Sequence, residues 1–546
     1  MPRFDTVIVN GLVVTAADSA YYNIGIKDGK IEALAREFSS ADLEGCEIID
    51  AEGAYVMPGG IDGHVHLCQD LKTGPNKLGG RCSDNFETGS RSAAAGGTTT
   101  MVNFASQDRL DEADRSLIGV VQRYAARAQS TGSYIDYAFH VIITRNDPDV
   151  LQSELPVLVK EWGITSCKLF MTYDTMRLTD RQLLDVMVAA RKNSVTTLIH
   201  AENGDAIEWL TEQLEARDMI APYYHALSRP PLIEAEASNR AIALAQLVQN
   251  PILFVHIGSP MAAQNVREAQ SRGLPIYAET CPQYFNLTWQ DLKRFHSPTC
   301  FENSKMICSP PPPAEKNDHE ALQRYLANGT FTIWSSDHCP FRYDDPDGKP
   351  AGVLEHAGSM QGESGDGHNP AAPCTSVYHE VPKEDLSRLL ARKMGHFKHV
   401  PNGIPGVETR LPLLFSQGLL TGLISPSRFV ELTSTNPAKL YGMYPQKGCL
   451  MPGSDADLVI WHPQATFKPF ALSNSHLHHN VDYTPYEGQT LSNWPRYTMV
   501  RGKLIWSNGK IVGQLSHGNF VKRGPNSLHQ RPQPFGTDLR NVATWL

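Results

Sequence analysis

The strongest constraint on the fold is the order of the apolar segments between residues 59 and 337. Eight short runs, rich in β-branched residues, lie at 59–66, 98–104, 135–144, 164–171, 194–200, 251–258, 274–280 and 331–337. Most are followed by a stretch with the spacing of an amphipathic helix, such as TDRQLLDVMVAARKN after the fourth run. Because short buried strands that alternate with helices build parallel sheets, eight such units predict a (β/α)₈ barrel, the TIM-barrel architecture.

A second pattern occurs at the two ends of the chain. Short, roughly alternating β-branched segments are joined by Asp28-Gly29 near the N-terminus and by Arg501-Gly502 and Asn508-Gly509 near the C-terminus. Asn, Asp and Gly tolerate the positive φ angles of tight hairpins. We therefore expect a small β-sandwich domain formed by both chain ends, with the domains divided as 1–57 plus 441–515 for the β-sandwich, 58–440 for the barrel, and 516–546 for a C-terminal tail available for contacts between subunits.

Composition restricts the class of protein. The 546 residues are 41% hydrophobic and 20% charged, and the net charge of −9 argues against a nucleic-acid binder, which usually has a basic face. The ten cysteines form no C-x-x-C pair, which favours reduced core thiols. Neither a signal peptide nor a membrane-spanning run is recognisable, so we expect a cytoplasmic protein with no membrane partner.

One long connection in the barrel region, 339–405, contains the Gly, Ser and Pro-rich stretch AGSMQGESGDGHNPAAP at 357–373. Such a stretch is compatible with a mobile loop at the barrel rim that closes as a lid. It is equally compatible with an insertion that has no role.

Polar side chains at the ends of the predicted strands form the candidate active site, because barrel enzymes carry their active sites at the C-terminal ends of the strands. The first strand ends in His64-Val65-His66, and both histidines face the same way because side chains alternate along a strand. The other candidates close the fourth, fifth, sixth and eighth strands and are Lys168, His200, His256 and Asp337.

Each of these residues alone has an ordinary structural explanation. A single strand histidine is usually a core residue, as we expect for His140 in the middle of the third run. A lysine such as Lys168 can extend its charged end to solvent, and an aspartate such as Asp337 can cap a helix. Their joint occurrence at strand ends favours a shared site, because imidazoles and a carboxylate suit Zn²⁺ or a similar divalent ion.

Lys168 fits a metal site only in a modified form, because an ammonium group repels cations. Reaction of the amine with CO₂ would give an anionic carbamate, which offers one oxygen to each of two metal ions. Two ions roughly 3.5–4 Å apart can hold a bridging hydroxide, since metal binding lowers the pKa of water from about 15.7 towards about 7.

The chain resembles the amidohydrolase superfamily in eight motifs: PGGIDGHVH, CKLFMTYD, LIHAENGD, FVHIGS, YAETCPQY, CSPPP, SSDHCPF and PNGIPGVETRLPLLF. The resemblance is strongest to the dihydropyrimidinase/hydantoinase family, in particular to fungal dihydropyrimidinases. It extends over nearly the whole chain, including GSDADLVIW and DYTPYEG near the C-terminus. The set of motifs carries the resemblance, because an H-x-H pair alone is common.

The resemblance implies two Zn²⁺ ions per subunit, bridged by a hydroxide. The implied ligands are His64, His66 and Asp337 for the more buried ion, His200 and His256 for the second, and carboxylated Lys168 (N6-carboxylysine) as the bridge between them. Asp337 would also accept the proton of the attacking hydroxide and pass it to the leaving nitrogen.

Three further residues would bind the substrate. Tyr173 would stabilise the oxyanion, although an aromatic residue after a strand usually packs in the core. Ser309 and Asn402 would hold the ring through backbone groups. His338 and Cys339, which follow Asp337, are interpreted as supporting or packing residues rather than ligands.

The activity implied is hydrolysis of the cyclic amide in 5,6-dihydrouracil or dihydrothymine to an N-carbamoyl-β-amino acid, by a homotetramer. A hydantoinase or an allantoinase would use the same site for a different ring. Dihydroorotases carry H-x-H-x-R, in which the arginine pairs with the substrate carboxylate, and Cys68 at that position counts against them. A non-catalytic scaffold of this family would have lost metal ligands, whereas this chain keeps all six.

Overall fold

The computed structural model describes residues 2–74, 77–295, 300–351 and 396–528. The Gly-rich stretch 357–373 and the end of the C-terminal tail, 529–546, lie outside the described residues. No helix in the described part of the chain is long and apolar enough to cross a membrane. Each cysteine within it is a free thiol, as expected.

The N-terminal part of the chain forms strands that precede the barrel: β1 Thr6–Val14, β2 Ser19–Lys27, β3 Lys30–Ala35, β4 Glu47–Asp50 and β5 Tyr55–Pro58. The first barrel strand follows, and then a hairpin at the barrel rim: β6 Gly60–Val65, β7 Asp70–Gly74 and β8 Lys77–Arg81. The remaining barrel strands are β9 Thr98–Ser106, β10 Asp136–Ile142, β11 Ser166–Phe170, β12 Thr196–His200, β13 Ile252–Phe254, β14 Ile276–Thr280 and β15 Ile333–Trp334.

Each of the eight predicted apolar runs coincides with one strand of a parallel sheet with the order β15-β14-β13-β12-β11-β10-β9-β6, and only β9 extends beyond its run, by two residues. The strands are buried on both faces, which explains why their sequences are almost continuously apolar. The sheet closes beyond the ends of β6 and β15, where Val65 forms a parallel bridge with His338 and the His66 amide donates to the His338 carbonyl at 2.7 Å. The predicted (β/α)₈ barrel is therefore confirmed.

Helices connect the strands, and the helix after β11 shows how the sequence specifies them. The predicted helix at TDRQLLDVMVAARKN spans Asp180–Lys192 and begins with a capping box between Thr179 and Gln182. Such a cap stabilises a helix by about 1 kcal/mol. The residues that it buries against the barrel have helical spacing and are Leu183, Val186, Met187 and Ala190.

The α-helices are Ser40–Leu43, Phe86–Ala95, Leu117–Thr131, Pro148–Val157, Asp180–Lys192, Gly204–Glu215, Tyr224–Leu227, Pro231–Val248, Pro260–Ser271, Gln283–Asn286, Lys316–Ala327, Arg410–Leu414, Pro426–Val430 and Asn436–Leu440. Short 3₁₀ turns lie at Glu112–Asp114, Trp289–Lys293, Phe301–Met306, Phe397–His399 and Asn474–His476. Segments of π-helix lie at Leu158–Trp162, Phe415–Leu419 and Glu431–Thr435.

The C-terminal strands are β16 Leu458–Trp461, β17 Phe470–Ala471, β18 Thr490–Leu491, β19 Pro495–Val500, β20 Lys503–Ser507 and β21 Lys510–Ile511. Strands from both chain ends form one mixed sheet, β21-β20-β19-β16-β5-β1-β2-β3, in which β4 also pairs with β1. The predicted turns are confirmed, because Asp28, Arg501 and Asn508 have positive φ and each is followed by a glycine with positive φ. The residue limits of the domains stay a prediction.

The C-terminal segment 516–528 crosses the N-terminal end of the barrel. Val521 donates its amide to the Tyr137 carbonyl at 2.8 Å, and Arg523 donates to the Ser166 hydroxyl at 2.9 Å.

His140 contacts the Ser166 hydroxyl through Nδ1 at 2.6 Å and the Gly63 carbonyl through Nε2 at 3.0 Å. His140 is thus a core histidine with both ring nitrogens in contact with polar partners, as expected.

Candidate active site

The six predicted metal ligands lie together at the C-terminal end of the barrel. The positions are His64 in β6, Lys168 in β11 and His200 at the end of β12, with His66, His256 and Asp337 just beyond the ends of β6, β13 and β15. All six are buried. Because parallel strands end at one rim of the barrel, residues far apart in the sequence converge there.

The shortest distances surround His64. Its Nε2 atom lies 3.1 Å from Asp337 Oδ1 and 2.8 Å from Lys168 Nζ. His66 Nε2 lies 3.7 Å from the same Asp337 oxygen. One ligand atom from each of His64, His66 and Asp337 falls within 4.8 Å of the others, which is close enough for a shared metal ion.

The other two histidines adjoin this group. The rings of His200 and His256 have centroids 4.4 Å apart, and those of His64 and His256 are 5.4 Å apart. His256 Nδ1 is buried and has no hydrogen-bond partner among the described residues. An unpartnered imidazole nitrogen beside other metal-binding side chains fits a metal ligand.

Three polar side chains hold the histidine rings in place. His64 Nδ1 lies 2.6 Å from Glu279 Oε1, and Glu279 also accepts the His256 amide at 3.0 Å. The corresponding contacts elsewhere are His66 Nδ1 to Gln69 Oε1 at 2.8 Å and His200 Nε2 to Glu202 Oε2 at 2.7 Å. Metal-binding histidines usually bond their second nitrogen in this way, which orients the first.

These supporting residues were not predicted from the sequence. The signal that could have found Glu279 is its position near the end of the seventh apolar run, which is the same rule that identified the ligands. Glu202 follows His200 by two residues and Gln69 follows His66 by three, so both lie just beyond a ligand.

Burial sets the protonation of the centre. It lowers the pKa of His66 to about 3 and that of His64 and His256 well below the usual range, so the imidazoles stay neutral and can bind metal. It also lowers the pKa of Lys168 to about 8 and raises that of Asp337 to about 7. A more easily deprotonated amine is the form that reacts with CO₂. The donor set of neutral imidazoles and a carboxylate therefore fits a divalent metal ion.

Tyr173 lies at the mouth of this centre, in the turn after β11, where its φ is +66°. Its ring centroid is 5.3 Å from that of His200, and its hydroxyl accepts a hydrogen bond from Asn402 Nδ2 at 3.2 Å. Burial raises the pKa of Tyr173 to about 12, so the hydroxyl keeps its proton. Ser309 also interacts with this hydroxyl, so the structure brings the three predicted substrate residues together.

His338 and Cys339 point away from the ligand cluster, in agreement with the sequence interpretation. His338 uses both ring nitrogens, since Nε2 lies 3.1 Å from Asp84 Oδ2 and Nδ1 accepts the Gly406 amide at 3.0 Å. Cys339 packs with Cys82 and Phe341 in a small apolar cluster. Neither residue belongs to the group of side chains that lie close enough together to share a metal ion.

Comparison with known proteins agrees with this geometry. Residues 55–360 and 388–505 match the model of the amidohydrolase family. The chain is 38% identical to the D-hydantoinase of Ralstonia pickettii over 521 residues, which cover 95% of this chain and 99% of that one. It is 35% identical to a D-phenylhydantoinase of Escherichia coli over 520 residues, 95% of this chain and 98% of the relative.

The solved structures give the same result. The dihydropyrimidinase of Brevibacillus agri superimposes with a TM-score of 0.80 at 34% identity, over 96% of this chain and all of that one. An L-hydantoinase (dihydropyrimidinase) of Arthrobacter aurescens superimposes with a TM-score of 0.75 at 27% identity, over 95% of this chain and all of that one. Sequence, fold and site agree, and the chain belongs to the amidohydrolase family.

Proposed function

We propose that this protein is a metal-dependent cyclic amidohydrolase of the dihydropyrimidinase/hydantoinase type. The observation that carries the proposal is the convergence of four histidines, one lysine and one aspartate at the C-terminal end of the barrel. The named relatives, which are hydantoinases and a dihydropyrimidinase, support the same class of substrate.

The proposed cofactor is a pair of Zn²⁺ ions. The proposed ligands are His64, His66 and Asp337 for one ion and His200 and His256 for the other, with carboxylated Lys168 shared by both. When bound, such ions would polarise the amide carbonyl and make water a nucleophile at neutral pH.

The residues of the chain then have separate tasks. Asp337 lies between His64 and His66, where its carboxylate can take a proton from water and give it to the ring nitrogen that leaves. Tyr173 donates a hydrogen bond from its hydroxyl to the carbonyl oxygen as negative charge develops there. Backbone groups of Ser309 and Asn402, whose side chains interact with the Tyr173 hydroxyl, hold the ring.

The proposed substrates are 5,6-dihydrouracil and dihydrothymine, on the basis of the motifs shared with dihydropyrimidinases. Hydantoins are the second candidate, because the curated relatives at 35–38% identity are hydantoinases. A non-catalytic scaffold is disfavoured because all six ligand positions are kept and lie together. A cytoplasmic location and a homotetramer are part of the proposal.

The test is the initial rate of ring opening by zinc-loaded protein on dihydrouracil, hydantoin, allantoin and dihydroorotate, measured side by side. Asp337→Asn, which keeps the size of the side chain but removes its charge, gives the background rate. We expect the fastest turnover on dihydrouracil. Faster turnover of another ring would keep the chemistry and change the substrate, and no turnover of any ring by protein that binds zinc would contradict the proposal.

A further inference from the structure

Lys349 is a fully buried lysine outside the metal centre. Its Nζ atom lies 3.0 Å from the Ile307 carbonyl oxygen, 2.8 Å from that of Pro401 and 2.7 Å from that of Gly403. An ammonium group has three N–H donors, and three acceptors surround this one. The match indicates a site built for a charged lysine.

No carboxylate in the described ranges pairs with Lys349. Burial lowers its pKa to about 7, and the three carbonyl oxygens around Nζ are the groups that favour the charged form. The Nζ atom also lies 5.7 Å from the centroid of the Phe341 ring, within the range of a cation–π contact. Burying an ammonium group is costly unless acceptors satisfy its N–H donors, as the three carbonyl oxygens do here.

The three carbonyl groups belong to the two segments that carry the proposed substrate residues. Ile307 precedes Ser309 by two residues, and Pro401 and Gly403 flank Asn402. The segments also contact each other directly, because the Gly403 amide donates to the Ile307 carbonyl at 3.0 Å.

Neither segment belongs to a regular helix or strand that could hold it. Residues 307–313 and 400–405 contain at most an isolated bridge, at Ile404. Three carbonyl dipoles that point at one place repel one another unless a cation lies among them. Lys349 supplies that cation.

We propose that Lys349 is a positioning residue for the substrate, whose ammonium holds the segments of Ser309 and Asn402 together so that their backbone groups face the ring beside Tyr173. The inference rests on the proposed function of that site. It adds a residue that contacts neither the ring nor the metal ligands. Lys349 acts by fixing the positions of the two segments whose backbone groups bind the ring.

The test compares Lys349→Met, which keeps the chain length but donates no hydrogen bond, with Lys398→Met. Lys398 lies two residues before the second segment, is 48% exposed and pairs with Glu215 at 3.1 Å, so its loss should have little effect. The measurements on zinc-loaded protein are metal content, kcat and KM on the ring that the wild type opens fastest, and hydrogen exchange of the peptides that contain Ser309 and Asn402.

For Lys349→Met we expect unchanged metal content, faster exchange in both peptides, and a KM raised roughly tenfold or more with a smaller change in kcat, because displaced binding groups weaken uniform binding of the substrate. Lys398→Met should match the wild type. A folded Lys349→Met protein with wild-type KM and exchange would overturn the inference.

If Lys349→Met does not fold, Lys349→Gln decides. Its amide can still donate hydrogen bonds but carries no charge, so KM and exchange should still rise. Wild-type values of both in Lys349→Gln would overturn the inference. Failure of the proposed function would be recognised by a different result, because the wild-type protein would then open none of the rings.

Discussion

Among the described residues, two clusters of three side chains have ligand atoms within 4.8 Å of one another. The first cluster lies at the C-terminal end of the barrel and consists of His64, His66 and Asp337. The second lies at the N-terminal end and consists of Asp136, Asp455 and Asp457. The second cluster, however, already contains a cation. Lys447 Nζ lies 2.6 Å from Asp136 Oδ2, 2.6 Å from Asp457 Oδ2 and 3.0 Å from Asp455 Oδ2. Close donors alone therefore do not make a metal site.

The two lysines show the difference most clearly. Burial acts against the charge of Lys447, but its three carboxylate partners outweigh that effect and raise its pKa above the usual range. Lys168, by contrast, lies 2.8 Å from an imidazole nitrogen, and burial lowers its pKa to about 8. One cluster already holds a cation of the chain itself and joins the barrel to the mixed sheet, whereas the other has ligand atoms left for a cofactor.

Removal of Lys168 should have the largest effect on function. We expect Lys168→Ala to lose bound metal and measurable turnover, because the proposed shared ligand is removed, while a short carboxylic acid restores part of both. Metal analysis and initial rates with and without the acid test this. Full metal content and activity without any additive would show that Lys168 is not a ligand.

Removal of Lys447 should affect stability instead. Lys447→Met leaves buried carboxylates without their shared partner, a loss of about 3–5 kcal/mol in the free energy of unfolding. We expect a lower thermal midpoint and wild-type metal content in the folded fraction. Loss of metal with an unchanged midpoint would mean that the two clusters are not separate in function.

Tyr173→Phe tests the chemistry beside the metal centre. Loss of an oxyanion donor should lower kcat by about 10²–10³-fold while metal content stays at the wild-type value. Tyr325→Phe, which removes a hydroxyl bonded to Gln264 at 2.6 Å, is the matched control and should leave kcat unchanged. A change confined to KM would contradict the proposed role of Tyr173.

The smallest expected effect concerns Glu279, which orients His64. Glu279→Gln should weaken metal affinity by about 10–100-fold, because the ring of His64 is held less firmly and becomes less basic. Competition with a metal chelator measures this. Asp136→Asn, in the cluster around Lys447, is the control and should keep the wild-type metal affinity. Equal metal affinities in the two variants would contradict the conclusion that only the first cluster binds metal.

The repeating part of the fold was predictable because it is local. Every barrel strand corresponds to a short apolar run in the sequence. The positive φ angles at Asp28, Arg501 and Asn508 follow from the turn pair that each forms with the glycine directly after it. The six candidate ligands were found by one rule, which states that polar residues at strand ends meet at the rim. The supporting carboxylates obey the same rule but were missed, because nothing in the sequence separates them from ordinary polar residues.

The sequence did not show which distant side chains contact one another. Glu279 contacts His64 across 215 positions, and Lys447 contacts Asp136 across 311. The C-terminal segment was expected only as a tail for subunit contacts, yet residues 516–528 pack across the end of the same chain's barrel.

The sequence by itself determined the eight strands, the sheet at the chain ends and the set of side chains that can bind metal, because each depends on a local pattern of polarity and turns. Only the tertiary structure decided which imidazole nitrogens are held by a carboxylate and which stay free, and that Lys349 joins two distant segments. The physical reason is that the role of a buried polar atom depends on its hydrogen-bond partners, and only folding of the whole chain brings those partners next to it.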